Sequence, residues 1–146
     1  MDKIILQDHR EKVGQHDLVE SELKSLGYTL HRVRLNVGDY MFPQGTKSVD
    51  LKKNLEELAS DLHRDKLALN KKYKKCLDDG IKLTVLVEEE VLSLNDLLAW
   101  KSNHSRINGA YLFKMIRDVK LSYGVSFAFC SPKKTAQKLL EILKEK

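Results

Sequence analysis

The chain has 146 residues, within the range of one ordinary domain and long enough to bury a sizeable core. It is 42% hydrophobic and 32% charged, and no stretch approaches the about 20 apolar residues that a membrane-spanning helix needs, which excludes such a helix. The net charge of +5, from 26 basic and 21 acidic residues, leans toward a polyanionic partner without identifying one.

Residues 3–7 (Lys-Ile-Ile-Leu-Gln) read as a buried strand rather than a signal peptide, so a cytoplasmic protein is expected. The strand ends in Asp8-His9-Arg10-Glu11. Leu18, Val19, Leu23 and Leu26 share one face of a helix that Gly27 stops. Tyr28 to Leu35 alternates as a half-buried strand. Gly38 allows a turn, and the turn chemistry of Pro43-Gln44-Gly45-Thr46 joins Tyr40–Phe42 to Ser48–Lys52 as a hairpin. These three strands are expected to form a meander. Asn54 caps a helix that turns Leu55, Leu58, Ala59 and Leu62 inward, and a long helix follows to about Asp79 with Leu69, Tyr73, Cys76 and Leu77 on one face. Leu83 to Val87 is nearly all apolar, as in a central strand covered on both faces. Ser93 with Asp96 resembles a capping box for a short helix carrying Leu94, Leu97, Leu98 and Trp100. A polar loop (101–109) precedes a helix with Leu112, Met115, Ile116 and Val119, which closes near Gly124. Val125 to Cys130 is a last strand. Ser131-Pro132 caps a final helix that packs Ala136, Leu139, Leu140 and Leu143. The order predicts one α/β domain with a mixed sheet between helical layers.

The chemistry concentrates between residues 37 and 52. Asp39 ends one apolar run, and Asp50 and Lys52 lie in the next, on the same face of a strand because side chains alternate. Cleaving a phosphodiester with water needs a cation on the non-bridging oxygens, an activated water and charge compensation for the leaving oxygen. Carboxylates that bind Mg²⁺ supply the first and often the second. Asp39 and Asp50 suit that role, the Leu51 carbonyl could add a ligand, and Lys52 could hold the water or the attacked phosphate. From these residues alone a second reading stands beside the first: Asp39 is a turn residue after Gly38, and Asp50 and Lys52 are an exposed strand pair. Acids at three strand ends (Asp8 with Glu11, Asp39, Asp50) strengthen the metal reading.

Asp8-His9-Arg10-Glu11, Val37-Gly38-Asp39-Tyr40 and Val49-Asp50-Leu51-Lys52, with Glu56 and Leu58 beyond, resemble the XPF-type nuclease domain, a branch of the restriction-endonuclease-like superfamily. Members carry Asp-x-Arg-Glu after the first strand, then Gly-Asp-Tyr, then Glu-Arg-Lys, then an acid a short helix step later. The resemblance runs over essentially the whole chain, including Arg64 and the strand at Leu83–Val87. It implies a three-layer α/β/α fold around a mixed sheet. It implies Asp39 and Asp50 as ligands of Mg²⁺ (or Mn²⁺), Lys52 as the catalytic lysine, Asp8 as an additional metal-site carboxylate, and Glu11 and Arg10 as support. Glu56 matches the later acid and Tyr40 the tyrosine of Gly-Asp-Tyr. Two positions depart from the family: Asp50 stands for its glutamate, and Leu51 for its arginine, whose role could pass to Lys53. Residues 1–146 are expected to be a single nuclease domain without the C-terminal helix-hairpin-helix module that members carry, in a bacterial or phage setting.

The resemblance therefore implies a metal-dependent endonuclease acting on branched or flapped duplex DNA, with a homodimer expected. The alternative is a catalytically silent DNA-binding or dimerisation module on the same fold. Arg64 is implied as a phosphate contact, with Arg10, Lys53 and Lys66 as further DNA-binding residues. The basic run from His63 to Lys75, which includes Lys71, Lys72, Lys74 and Lys75, reads either as a phosphate grip or as a solvated helix face. His9, His16, His31, His63 and His104 show no paired spacing, so no zinc site is expected. Cys76 and Cys130 are expected to be small buried hydrophobes. No Gly-x-x-x-x-Gly-Lys loop is present, and no nucleotide cofactor is expected.

Overall fold

A mixed sheet of six strands divides the molecule into two helical layers. The computed structural model describes residues 3–10 and 16–145. In chain order the elements are β1 (Ile4–Asp8), α1 (Asp17–Ser25), β2 (Thr29–Val33), β3 (Tyr40–Met41), β4 (Lys47–Lys52), α2 (Leu55–Arg64), α3 (Lys66–Asp78), β5 (Lys82–Val87), α4 (Leu94–Leu98), α5 (Gly109–Tyr123), β6 (Ser126–Phe129) and α6 (Thr135–Lys144). The sheet order is β2-β1-β3-β4-β5-β6; β3 runs antiparallel to both its neighbours, and the remaining pairs are parallel. This is the expected three-layer α/β/α architecture.

Alternation along the strands sorts the core into two. Ile5, Tyr40, Val49, Leu51 and Leu86 point to the layer of α1 and α6, where they meet Val19, Leu23, Ala136 and Leu139. Leu83, Val85 and Val87 point to the other layer and meet Leu58 and Leu62 of α2, Tyr73 and Cys76 of α3, and Leu112 and Ile116 of α5. β5 is thus buried on both faces, as its apolar run predicts. Asp50 and Lys52 alternate with Val49 and Leu51, so they face the layer of α2 and α3. Among the described residues no helix is long and apolar enough to cross a membrane.

Three expectations are corrected. The three-strand meander is only a hairpin of β3 and β4, because β2 lies on the far side of β1. The segment β1-α1-β2 is a crossover unit that returns β2 parallel to β1, and the chain then passes over the end of β1 to start β3. The result leaves β2 as a largely exposed edge strand. The inward faces are also narrower than the periodicity suggests. Val19 and Leu23 are buried in α1, whereas Leu18, Leu26, Leu77, Leu94 and Leu98 are exposed. Ser131 makes no side-chain cap bond; a 3-10 turn over Pro132–Lys134 intervenes before α6.

The other caps hold. Asn54 accepts a hydrogen bond from the Glu57 N–H (2.8 Å), and Ser93 accepts one from the Asp96 N–H (3.2 Å). Asp96 returns its carboxylate to the Leu92 N–H rather than to Ser93, so the box closes one residue early. Cys76 is buried and Cys130 half-buried, and burial pushes both thiols up from their ordinary pKa.

Candidate active site

The site begins with a glycine. Gly38 sits at φ 75°, and a side chain there would run into the Ser48 hydroxyl, which donates to the Val37 carbonyl (2.8 Å). That close approach fixes the next residue. The Asp39 N–H donates to the Val49 carbonyl (2.8 Å), and the Asp39 carbonyl accepts from the Asp8 N–H (2.9 Å). The Asp39 carboxylate accepts from the Leu51 N–H (2.8 Å). Asp39 is therefore clamped from both neighbouring strands. Gly38→Ala is expected to destabilise the fold by about 1–3 kcal/mol, since it strains the backbone and displaces Ser48. A urea titration showing unchanged stability would mean that Asp39 is not held in this way.

Asp50 lies one strand over from Asp39 and is 5% exposed. Its Oδ2 accepts from the Lys72 ammonium at 3.2 Å and lies 3.9 Å from that of Lys52. Burial opposes its ionisation, but Lys72, then Lys52, and a hydrogen bond with the Asp39 side chain hold its pKa below the usual carboxylate value. Lys52 donates to Asp61 of α2 at 2.6 Å. Burial would lower the pKa of Lys52, but Asp50 and Asp61 raise it well above the ordinary lysine value. With Asp50 and Asp61 beside it, Lys52 is accordingly held in its charged form near neutral pH. Glu57, half-buried on α2, has its pKa raised by that burial, against the pull of Lys52.

Two carboxyl groups brought side by side in a buried place are stabilised by a shared proton or by nearby positive charge. A divalent cation with hard-oxygen preference fits this pair. Asp39 and Asp50 could offer it carboxylate oxygens, and Leu51 a carbonyl. In an extended strand the N–H and C=O of one residue leave on the same edge, and the Leu51 N–H already points at Asp39. The ammonium of Lys72 provides positive charge at the same carboxylate oxygen. Leu51 turns its side chain away into the opposite core layer.

The remaining site residues fall into separate places. Asp8 is buried beside Asp39, but its Oδ2 binds Arg10 Nε (2.9 Å) and its Oδ1 accepts from the Leu35 N–H (3.1 Å). Arg10 also donates to the Leu35 carbonyl (2.7 Å). Among the described residues no three His, Cys, Asp or Glu side chains are arranged to hold an ion. Glu11 lies outside the described residues. Tyr40 is fully buried on the α1 and α6 side, where its hydroxyl accepts from Gln7 Nε2 (3.1 Å), so it anchors β3 to β1.

Lys53 and Arg64 line one cleft of about 490 Å³ between α2 and the 101–109 loop, together with His63, Ser60, Ser102 and His104. Arg64 hydrogen-bonds Ser60. Glu56 closes the floor of this cleft, accepting from the Ser102 hydroxyl (2.7 Å) and the Asn103 N–H (2.9 Å). Lys66 lines a different pocket, against Tyr73 and Asp118.

Asp61 was not singled out from the sequence, and Lys72 only as one member of the basic run, with no link to Asp50. Both interrupt an apolar stripe. Lys72 falls between Leu69 and Cys76 at helical spacing, and Asp61 follows Leu58 by one turn, beside Leu62. A charged residue inside an inward stripe needs a buried partner of opposite sign. That signal is present in the sequence.

Neither a scan against protein-family models nor a search of curated proteins gave a match. Solved structures do match. XPF from Aeropyrum pernix superposes with a TM-score of 0.72 at 20% identity, over 97% of this chain and 63% of that one. XPF from Aeropyrum pernix in complex with DNA gives 0.72 at 21% identity, over 97% and 64%.

The fold is that of an XPF-type nuclease domain.

The chain spans less than two thirds of the length of those matched chains. The XPF-type fold, with its mixed six-stranded sheet between helical layers, bears out the fold expected from the sequence resemblance.

Proposed function

We propose that this domain is a metal-dependent DNA endonuclease that hydrolyses phosphodiester bonds, with branched or flapped duplex DNA as its substrate. The observation that carries the reading is the pair of buried acids Asp39 and Asp50 around the Leu51 N–H, set beside Lys52, which lies 3.9 Å from Asp50 and 2.6 Å from Asp61. The XPF-type fold, with one matched XPF solved in complex with DNA, supports it.

Asp39, Asp50 and the Leu51 carbonyl would hold Mg²⁺, or Mn²⁺ in its place, which when bound neutralises phosphate charge and lowers the pKa of a water. Asp39 is held rigid by its three backbone partners, so its carboxylate needs little reorganisation on binding. Lys52 presents its ammonium on the same strand face and stabilises charge that grows on the phosphate oxygens; Asp61 aims it. Asp8 stands one backbone hydrogen bond from Asp39, and its Oδ2 becomes a further donor when Arg10, which is 56% exposed, turns to a DNA phosphate. Lys53 and Arg64 grip the backbone along the cleft beside α2.

Arg64→Ala is expected to weaken DNA binding and reduce the slope of log K against log salt by about 1, the signature of one lost phosphate contact. Fluorescence anisotropy across a salt series measures this, and an unchanged slope would take Arg64 off the DNA. The exposed leucines Leu92, Leu94 and Leu98 on and before α4 support a homodimer. Light scattering is expected to give about twice the chain mass; a mass near 16.8 kDa would count against it.

The second reading, a catalytically silent DNA-binding or dimerisation module, draws on the engagement of Asp8 with Arg10 and the lack of a three-acid group among the described residues. Labelled flap, fork and linear duplexes incubated with Mg²⁺ and with EDTA separate the two. Cleavage that EDTA abolishes is the expected result. Binding without cleavage under Mg²⁺ and Mn²⁺ would support the silent module.

A further inference from the structure

Two lysines reach Asp50, and they are not equivalent. Lys52 comes from the same strand, is 13% exposed in its side chain, and is tied to Asp61 at 2.6 Å. Lys72 comes from α3, is 32% exposed in its side chain, and stands closer to Asp50, at 3.2 Å against 3.9 Å. Asp50 is the carboxylate it pairs with among the described residues. Lys52 is thus anchored whether or not Asp50 has another partner, whereas Lys72 has a route to solvent and one reason to stay buried. Leu69 and Cys76, one turn to either side, pack on the core, so Lys72 starts from the inward-facing side of α3.

We propose that Lys72 is an internal counter-ion that occupies the cation-facing side of Asp50 and is displaced when a divalent cation binds. The inference rests on the reading of Asp39 and Asp50 as metal ligands. It adds that cation affinity is set by competition with a residue of the chain itself. Without a cation, an ionised Asp50 buried beside a second carboxyl needs positive charge at contact distance, and Lys72 supplies it. With a cation present, two positive charges at one carboxylate oxygen repel each other. The one with access to water withdraws along the surface of α3. Lys52 remains, because Asp61 holds it.

The test is calorimetric titration of Mn²⁺ into the full chain, in wild type, Lys72→Met and Lys71→Met. Lys71 is exposed on the same helix, so its substitution reproduces the change in net charge without touching Asp50. Loss of a charge-assisted contact that competes with the ion is expected to tighten Mn²⁺ binding about tenfold or more in Lys72→Met. The Lys71→Met value is expected within about twofold of wild type, since exposed charges are screened. Thermal melting gives a second readout: Lys72→Met melts below wild type without metal and gains more from saturating Mn²⁺. Lys72→Gln, which keeps an N–H donor for Asp50, tightens binding in the same direction and serves if the methionine variant does not fold. If wild type binds Mn²⁺ and the Lys72 variants bind no tighter than Lys71→Met, the counter-ion role is overturned and the metal site stands. If none of the proteins binds Mn²⁺, the metal reading is overturned and the inference with it.

Discussion

Asp50→Asn is expected to lose Mg²⁺-dependent cleavage by roughly 10³-fold or more, the scale of removing a main electrostatic element from a preorganised site. The substitution is nearly isosteric; it removes the charge and replaces one acceptor oxygen with an NH₂ donor. Asp50 is the carboxylate shared by the Asp39 contact, Lys52 and Lys72, so its charge is the one on which the local electrostatics turn. The fold is expected to survive. Lys72 can retreat to water and Lys52 keeps Asp61, so neither ammonium is left buried alone. DNA binding by Lys53 and Arg64 is also expected to survive, since both lie along the cleft beside α2. Single-turnover cleavage, thermal melting and anisotropy on one preparation check all three parts. Equal cleavage by the variant would remove Asp50 from the chemistry.

Lys52→Met is expected to lower the cleavage rate by about 10²–10³-fold, because the role proposed for its ammonium is to stabilise developing charge on the phosphate. The ammonium is 2.6 Å from Asp61, and its pKa is displaced upward by Asp50 and Asp61. The sign matters. A group whose folded pKa lies above its ordinary value of 10.5 keeps its proton throughout the neutral and mildly alkaline range. With Asp61 still its partner when a cation occupies Asp50, Lys52 is expected to enter the reaction as an ammonium. The pH–rate profile of the wild type should carry no limb from its titration between pH 7 and about 9.5. An unchanged rate in Lys52→Met would assign the charge to another residue, with Lys72 the first to examine.

Much of the fold could be read from local pattern. The apolar run Leu83–Val87, the turn chemistry at Pro43–Thr46 and the cap at Asn54 each depend on residues close in sequence, and each forms as expected. The placement of β2 did not follow from pattern. Its neighbour is fixed by the crossover through α1 and by the chain passing over β1, neither of which leaves a periodic mark in residues 28–35. The same division holds at the site. Gly38-Asp39 and Asp50-x-Lys52 lie on adjacent strands, and hairpin register brings them together. Lys72 is 22 residues from Asp50 and reaches it only through the packing of α3 on β5, so a run of lysines there resembled a solvated face. Asp8 was legible as an acid at a strand end, but its pairing with Arg10, two residues on, and with the Leu35 N–H depends on where the segment after β2 crosses.

Asp39, Asp50 and the Leu51 carbonyl are proposed to form one cation site. Anomalous diffraction from crystals soaked in Mn²⁺ tests it most directly. A single strong peak is expected between the two carboxylates and the Leu51 carbonyl, with the Lys72 ammonium moved away from Asp50. A peak elsewhere, or none at saturating Mn²⁺ with Lys72 still on Asp50, would contradict it.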